Sequence, residues 1–206
     1  MAKKALSVAD LINKKYKLLD FDGKWLDAFS QPEKYGTWFI YGNSSNGKTS
    51  FVLQLVKYLA KFGKVAYNSL EESSAHTMRE AFLRVGMQEV GSRVILLERE
   101  NMEDLSKRLK KPKSPEIVVI DSFQYSQLNY RSYIEFKENH PNKLIIFVSH
   151  ADGKNPEGRA AKSVMYDSTL KIWVEGFRAI SKGRYIGTSG YYDIWEERAN
   201  KYWNNQ

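Results

Sequence analysis

Along most of the chain, short apolar runs alternate with amphipathic stretches. TWFIYG (37–42) is an unbroken apolar run, too short for a helix and suited to a strand buried on both faces. The next stretch, KTSFVLQLVKYLAKFG (48–63), has Phe51, Leu55, Tyr58 and Leu59 at helical spacing, with Gly63 as its expected C-terminal stop. KVAYNSL (64–70), VILLE (94–98), EIVVID (116–121) and KLIIFVSH (143–150) predict four more strands. Helices are expected near 73–85 and 102–111, a polar tyrosine-rich stretch at 122–139, and a loop at 151–167. Beyond it TLKIWVEG, FRAISKGR and YYDIWEE have strand composition and short Gly-containing connections, which predicts an antiparallel meander. The expected fold is α/β: a mostly parallel central sheet with helices on both faces and an antiparallel C-terminal end.

Composition narrows the class. At 206 residues, with 42% hydrophobic and 27% charged, the chain suits one well-buried domain and not a disordered polymer. It shows no internal repeat and no low-complexity tract. The simplest division is an N-terminal extension over 1–36 and a domain over 37–206. KALSVADLINKKYKLL has helical periodicity and is a candidate for docking onto a neighbouring subunit. No apolar run approaches the ~18 residues that a membrane span needs, and the first residues lack the apolar core of a secretory signal. The absence of cysteine excludes disulfides, thiolate metal sites and cysteine nucleophiles, and fits a reducing, cytoplasmic setting. Lys and Arg total 32 against 24 Asp and Glu, a net charge of +8 that attracts polyanions.

The strongest motif is GNSSNGKTS (42–50), which matches G-x-x-x-x-G-K-[ST] between an apolar strand and an amphipathic helix. Gly42 and Gly47 permit the tight turn, while the N–H groups of Asn43, Ser44, Ser45, Asn46, Gly47 and Ser50 are candidates to face phosphate oxygens. The helix starting near Lys48 adds its positive dipole end. Lys48 should reach the β- and γ-phosphates, and the Thr49 hydroxyl should take a position on Mg²⁺. The expected ligands are ATP and Mg²⁺.

Three polar residues end apolar strands. Asp121 closes EIVVID, where a carboxylate can hold Mg²⁺ through water. Glu71 follows KVAYNSL and can orient and deprotonate an attacking water, with Glu72 read as a surface neighbour. His150 ends KLIIFVSH, where it can sit beside the γ-phosphate and report it to the loop that follows. His76 and His140 read as surface residues.

In their order and spacing, GNSSNGKTS, NSLEES, IVVIDSFQ and FVSH resemble the RecA superfamily of ATPases, with the RadA/Sms-type and DnaB-type branches most similar. The resemblance covers roughly 37–197. It implies that Glu71 is the catalytic base, Asp121 the metal-side carboxylate, and Gln124 a coupling residue. SKGRY (181–185) is similar to the K-x-R segment of these ATPases, which implies that Lys182 and Arg184 reach a neighbouring subunit's nucleotide. A homo-oligomer, as a hexameric ring or a filament, follows from that. The sequence departs from both branches: the RadA-type zinc module needs cysteines, and KGRYIG replaces the usual KNRFG or KNRNG forms.

The resemblance also implies that the loops after the Asp121 and His150 strands face single-stranded DNA. Lys154, Arg159 and Lys162 in ADGKNPEGRAAKS could neutralise phosphates, and Tyr125 and Tyr130 could stack bases. The basic run KRLKKPK (107–113) reads as a solvated helix end. Two function classes stay open: an ATPase acting on single-stranded DNA in recombination, repair or phage-type replication, or an ATP-driven regulatory or assembly switch without DNA.

Overall fold

The computed structural model describes residues 5–204. Its central sheet runs in the order β3-β2-β4-β5-β1-β7-β8-β9. The strands are β1 (Gly36–Gly42), β2 (Val65–Ser69), β3 (Val94–Glu98), β4 (Ile117–Asp121), β5 (Leu144–Asp152), β7 (Leu170–Glu175), β8 (Arg178–Ser181) and β9 (Tyr191–Asp193). A two-residue β6 (Asn155–Pro156) folds back antiparallel on the end of β5. From β3 across to β7 every pairing is parallel, and β7 to β9 close the sheet antiparallel.

Parallel strands need helical crossovers, and these cover both faces. Alternation of side chains along each strand divides the core in two. Trp38 and Ile40 of β1 pack with Tyr67, Val119 and Ile146 under α3 (Lys48–Leu59) and α4 (His76–Arg84). Phe39 and Tyr41 face the other way, with Val118, Ile120 and Phe147, under α5 (Met102–Leu109), α6 (Tyr130–Asn139) and α7 (Arg159–Asp167). The mostly parallel α/β sheet with its antiparallel end is the expected fold.

Several local expectations are corrected. The helix over 48–63 ends at Leu59, capped by Ala60 and not by Gly63. The polar stretch 122–139 contains α6, opened by a reciprocal cap between Asn129 and Ser132 and buried only through Tyr133 and Phe136. So narrow an apolar stripe gives little periodic signal. Instead of a loop, 151–167 holds the β5–β6 hairpin and α7, whose Ala161, Val164 and Met165 recur at helical spacing against the core. YYDIWEE is strand only over β9, and its Glu196 already opens α8 (Glu196–Trp203). His140 is buried, not exposed: its ring lies 4.8 Å from Phe136 and bonds the Ser106 hydroxyl at 2.9 Å.

The segment before β1 is of two kinds. α1 (Val8–Ile12), capped by Ser7, buries none of its residues. By contrast Leu19, Phe21, and Trp25, Ala28 and Phe29 of α2 (Gly23–Phe29) belong to the core. Trp25 is stacked between Tyr58 of α3 and Tyr192 of β9, at 4.8 and 4.3 Å between ring centroids. Residues 1–4 of the extension lie outside the described residues.

Candidate functional site

A cavity of about 320 Å³ opens where the C-terminal ends of β1, β2, β4 and β5 meet the start of α3. Ligand sites of open parallel sheets lie at this edge. Two features shape its floor. A Cβ on Gly42 would collide with the Val174 carbonyl of β7, so the first glycine of the motif is required by close packing of strands. Ser45 and Gly47 both adopt left-handed backbone, at φ 63° and 93°, which turns successive N–H groups inward.

The loop is braced from outside. Asn46 accepts from the Gly176 N–H through its side chain, at 2.8 Å, and from the Phe177 N–H through its carbonyl, at 3.2 Å. The Asn43 amide donates to the Gly153 carbonyl in the β5–β6 hairpin at 3.1 Å. Gly47 precedes α3 with no side-chain cap, so the first-turn N–H groups of that helix are left for an anion.

Asn43, Ser44, Ser45, Gly47, Lys48, Thr49 and Ser50 line the cavity together with Glu71, Asp121 and His150. Burial pulls Lys48 below the usual lysine range, while the carboxylates of Asp121 and Glu71 act the other way. Burial likewise pushes Asp121 above the usual aspartate range, opposed by the Tyr67 hydroxyl, which donates to Asp121 Oδ2, and by the Lys48 ammonium. A desolvated cation beside an uncapped helix start is the donor set that a polyphosphate satisfies, and Thr49 with Asp121 gives the oxygen donors that Mg²⁺ prefers.

Glu71 is held at three points. Its N–H points at the Asp121 carbonyl at 3.4 Å, its carbonyl accepts from Arg99 Nη2 at 3.1 Å, and its carboxylate lies 2.9 Å from His150 Nε2. The other His150 ring nitrogen is 3.6 Å from the Glu157 carboxylate. Gln124 links the same elements, donating to the Ser149 hydroxyl and the Glu157 carbonyl and accepting from the His150 N–H.

Gly42, Asn46 and Gln124 are structural neighbours of the cavity and do not line it. Lys182 and Arg184 lie on the exposed β8–β9 connection, also outside this chain's own cavity. Lys154 is at the tip of the β5–β6 hairpin. Arg159 and Lys162 sit in the first turn of α7 instead of on a loop, and all three are exposed. Tyr125 and Tyr130 are also exposed, before and at the start of α6.

Sequence reasoning missed Tyr67, Ser69, Met78 and Arg99; Glu72 is exposed, as expected of a surface residue, and also lines the cavity mouth. Only the β2–β4 register, with Ser69 opposite Asp121, brings Tyr67 to Asp121.

No protein-family model matches the chain, and no curated protein is similar to it in sequence. Solved structures are similar in fold. The flagellar accessory protein FlaH from Methanocaldococcus jannaschii gives a TM-score of 0.60 at 13% identity, over 85% of this chain and 90% of that one. A KaiC-like protein from Pyrococcus horikoshii gives 0.58 at 15% identity, over 81% and 93%. The chain has the RecA-like P-loop fold that these neighbours share.

Proposed function

We propose that this chain is a Mg²⁺-dependent ATPase of RecA-like type that works as a homo-oligomer. The single observation that carries hydrolysis is the convergence of Lys48, Thr49, Asp121 and Glu71 on one cavity at an uncapped helix start. The loop N–H groups and Lys48 bind and orient the phosphates, and Lys48 neutralises charge that builds on the leaving oxygens. The Thr49 hydroxyl and the Asp121 carboxylate would hold Mg²⁺, which would supply further charge neutralisation. Glu71, placed by its three contacts, takes the proton of the attacking water.

His150 and Gln124 join Glu71 to the β5–β6 hairpin, and Asn43 joins the phosphate loop to the same hairpin. Occupancy of the cavity would therefore be felt at 151–158. Exposed Lys182 and Arg184 suit contact with the nucleotide of a neighbouring subunit, in the manner of RadA/Sms-type and DnaB-type assemblies.

The output has two readings. The net charge of +8 and the basic side chains Lys154, Arg159 and Lys162 favour single-stranded DNA, in recombination, repair or phage-type replication. An ATP-driven assembly or regulatory switch is favoured by the fold neighbours, named as a flagellar accessory protein and a KaiC-like protein. Steady-state ATP hydrolysis with and without single-stranded DNA, at low and moderate salt, separates them. Stimulation that weakens with salt supports the DNA reading. Hydrolysis indifferent to DNA supports the switch, and no hydrolysis under either condition refutes the ATPase.

A further inference from the structure

We infer that Arg99 is a positioning residue for catalysis, one that holds the backbone of Glu71 so that its carboxylate faces the cavity. The inference rests on the reading of Glu71 as the base. Arg99 directly follows β3, and its guanidinium Nη2 donates to the Glu71 carbonyl at 3.1 Å without touching the carboxylate.

Arg99 occupies left-handed backbone, at φ 52°. A long side chain there is strained, and such strain persists only where the surroundings impose it. The surroundings do so on every side. The Arg99 N–H continues the β2–β3 ladder to the Ser69 carbonyl at 3.1 Å. The next residue is then clamped by Asn68, a fully buried side chain of β2. Asn68 donates to the Glu100 carbonyl at 2.7 Å and accepts from the Glu100 N–H at 3.1 Å. The Glu100 carboxylate is in turn held by Arg108 Nε, at 3.0 and 2.7 Å, and Asn101 caps α5. With Ser69 fixing one end of the turn and Glu100 the other, Arg99 is directed back over the 70–73 segment.

That segment needs holding. Glu71 and Glu72 are exposed at the cavity mouth, and Ser73 is also in left-handed backbone, its N–H donating to the Ser69 hydroxyl at 2.9 Å. On the other side, Leu70 donates to the Asp121 carbonyl at 2.6 Å. Arg99 supplies the opposing hold, and its charge strengthens the hydrogen bond to a neutral carbonyl. A glycine would relax the backbone at this position; an arginine in its place is explained by the contact it makes.

Arg99→Gly therefore separates the contact from the strain. We expect its melting temperature to match or exceed the parent's, since glycine adopts φ 52° freely. We expect affinity for a fluorescent ATP analogue and KM to stay within about twofold, and kcat to fall roughly tenfold or more, the worth of one charge-assisted hydrogen bond. Arg99→Lys keeps a donor and should regain part of the lost kcat. A glycine variant with kcat within twofold of the parent overturns the inference. So does a rise in KM with kcat unchanged, which would mean that Arg99 touches nucleotide. Glu71→Gln run alongside keeps the two readings apart. If that variant is inactive while Arg99→Gly turns over normally, only the Arg99 inference fails; if it retains turnover, the base assignment falls and the Arg99 inference with it.

Discussion

His150 Nε2 lies 2.9 Å from Glu71 Oε2, joining the end of β5 to the residue proposed to activate water. The carboxylate thus has a partner within this chain, and that partner also faces Glu157 of the hairpin. The contact makes His150 a candidate to sense whether Glu71 is engaged with water or at rest.

Glu71→Gln keeps the shape of the site and removes the base. Its turnover should fall about 10²- to 10⁴-fold with nucleotide affinity unchanged. His150→Asn should cost less, about tenfold, because it removes an orienting contact and not the proton acceptor. Single-turnover hydrolysis beside equilibrium nucleotide binding reads both. Equal losses in the two variants would show that His150 itself does the chemistry.

Asp121 predicts a trade between stability and function. Burial raises its pKa in the folded chain, despite Tyr67 and Lys48. The folded state therefore binds the proton more tightly than the unfolded one. The stability this gives is present below the ordinary aspartate value and is lost as pH rises through the raised one. At neutral pH the ionised carboxylate is a cost to the fold. Asp121→Asn should raise the melting temperature at pH 7, by less as pH falls towards 4, while Mg²⁺-dependent turnover disappears. Calorimetry at the two pH values checks it, and a lower melting temperature at pH 7 refutes it.

The chain before β1 divides at about residue 18. Trp25→Ala should cost about 3–5 kcal/mol, as expected for a large aromatic removed from a core, because Tyr58 and Tyr192 lose their stacking partner. Leu11→Ala, on the exposed α1, should stay within about 0.5 kcal/mol. Urea unfolding of the two variants measures both.

Much of this was readable and some was not, for physical reasons. β1, β4, β5 and the phosphate loop announce themselves because a buried parallel strand is an apolar run and a phosphate cradle needs glycines at fixed spacing. Trp25 and Phe29 were unreadable as core, since a two-turn helix with polar flanks carries almost no periodicity. Arg159 and Lys162 read as loop residues in the sequence because the buried stripe of α7 is only Ala161, Val164 and Met165. Tyr67 and Arg99 lay beyond any local pattern. Each acts on a residue brought near by strand register, Tyr67 on Asp121 across β2–β4 and Arg99 on Glu71 across β2–β3.

If Arg184 acts on a neighbour's nucleotide, one defective subunit damages a site it does not contain. Mixtures of parent and Arg184→Ala chains should then lose activity faster than the fraction of variant added, while each chain alone binds nucleotide normally. Loss in strict proportion to the fraction would assign Arg184 to its own chain or to none.

Lys154 at the hairpin tip and Arg159 and Lys162 on α7 are all exposed, and the hairpin is bonded to the cavity's surroundings through Asn43 and Gln124. If these side chains receive single-stranded DNA, each cation releases counterions, and replacing all three by Ala should flatten the slope of log affinity against log salt by about 2. Affinity should then drop most at low salt, where the parent binds best. An unchanged slope means that phosphates are contacted elsewhere, for example by the lysines of 107–113. A parent chain with no measurable binding even at low salt removes DNA as the output. The output would then have to be read by a protein, and the β5–β6 hairpin, bonded to Asn43 and Gln124, becomes the first place to look for that contact.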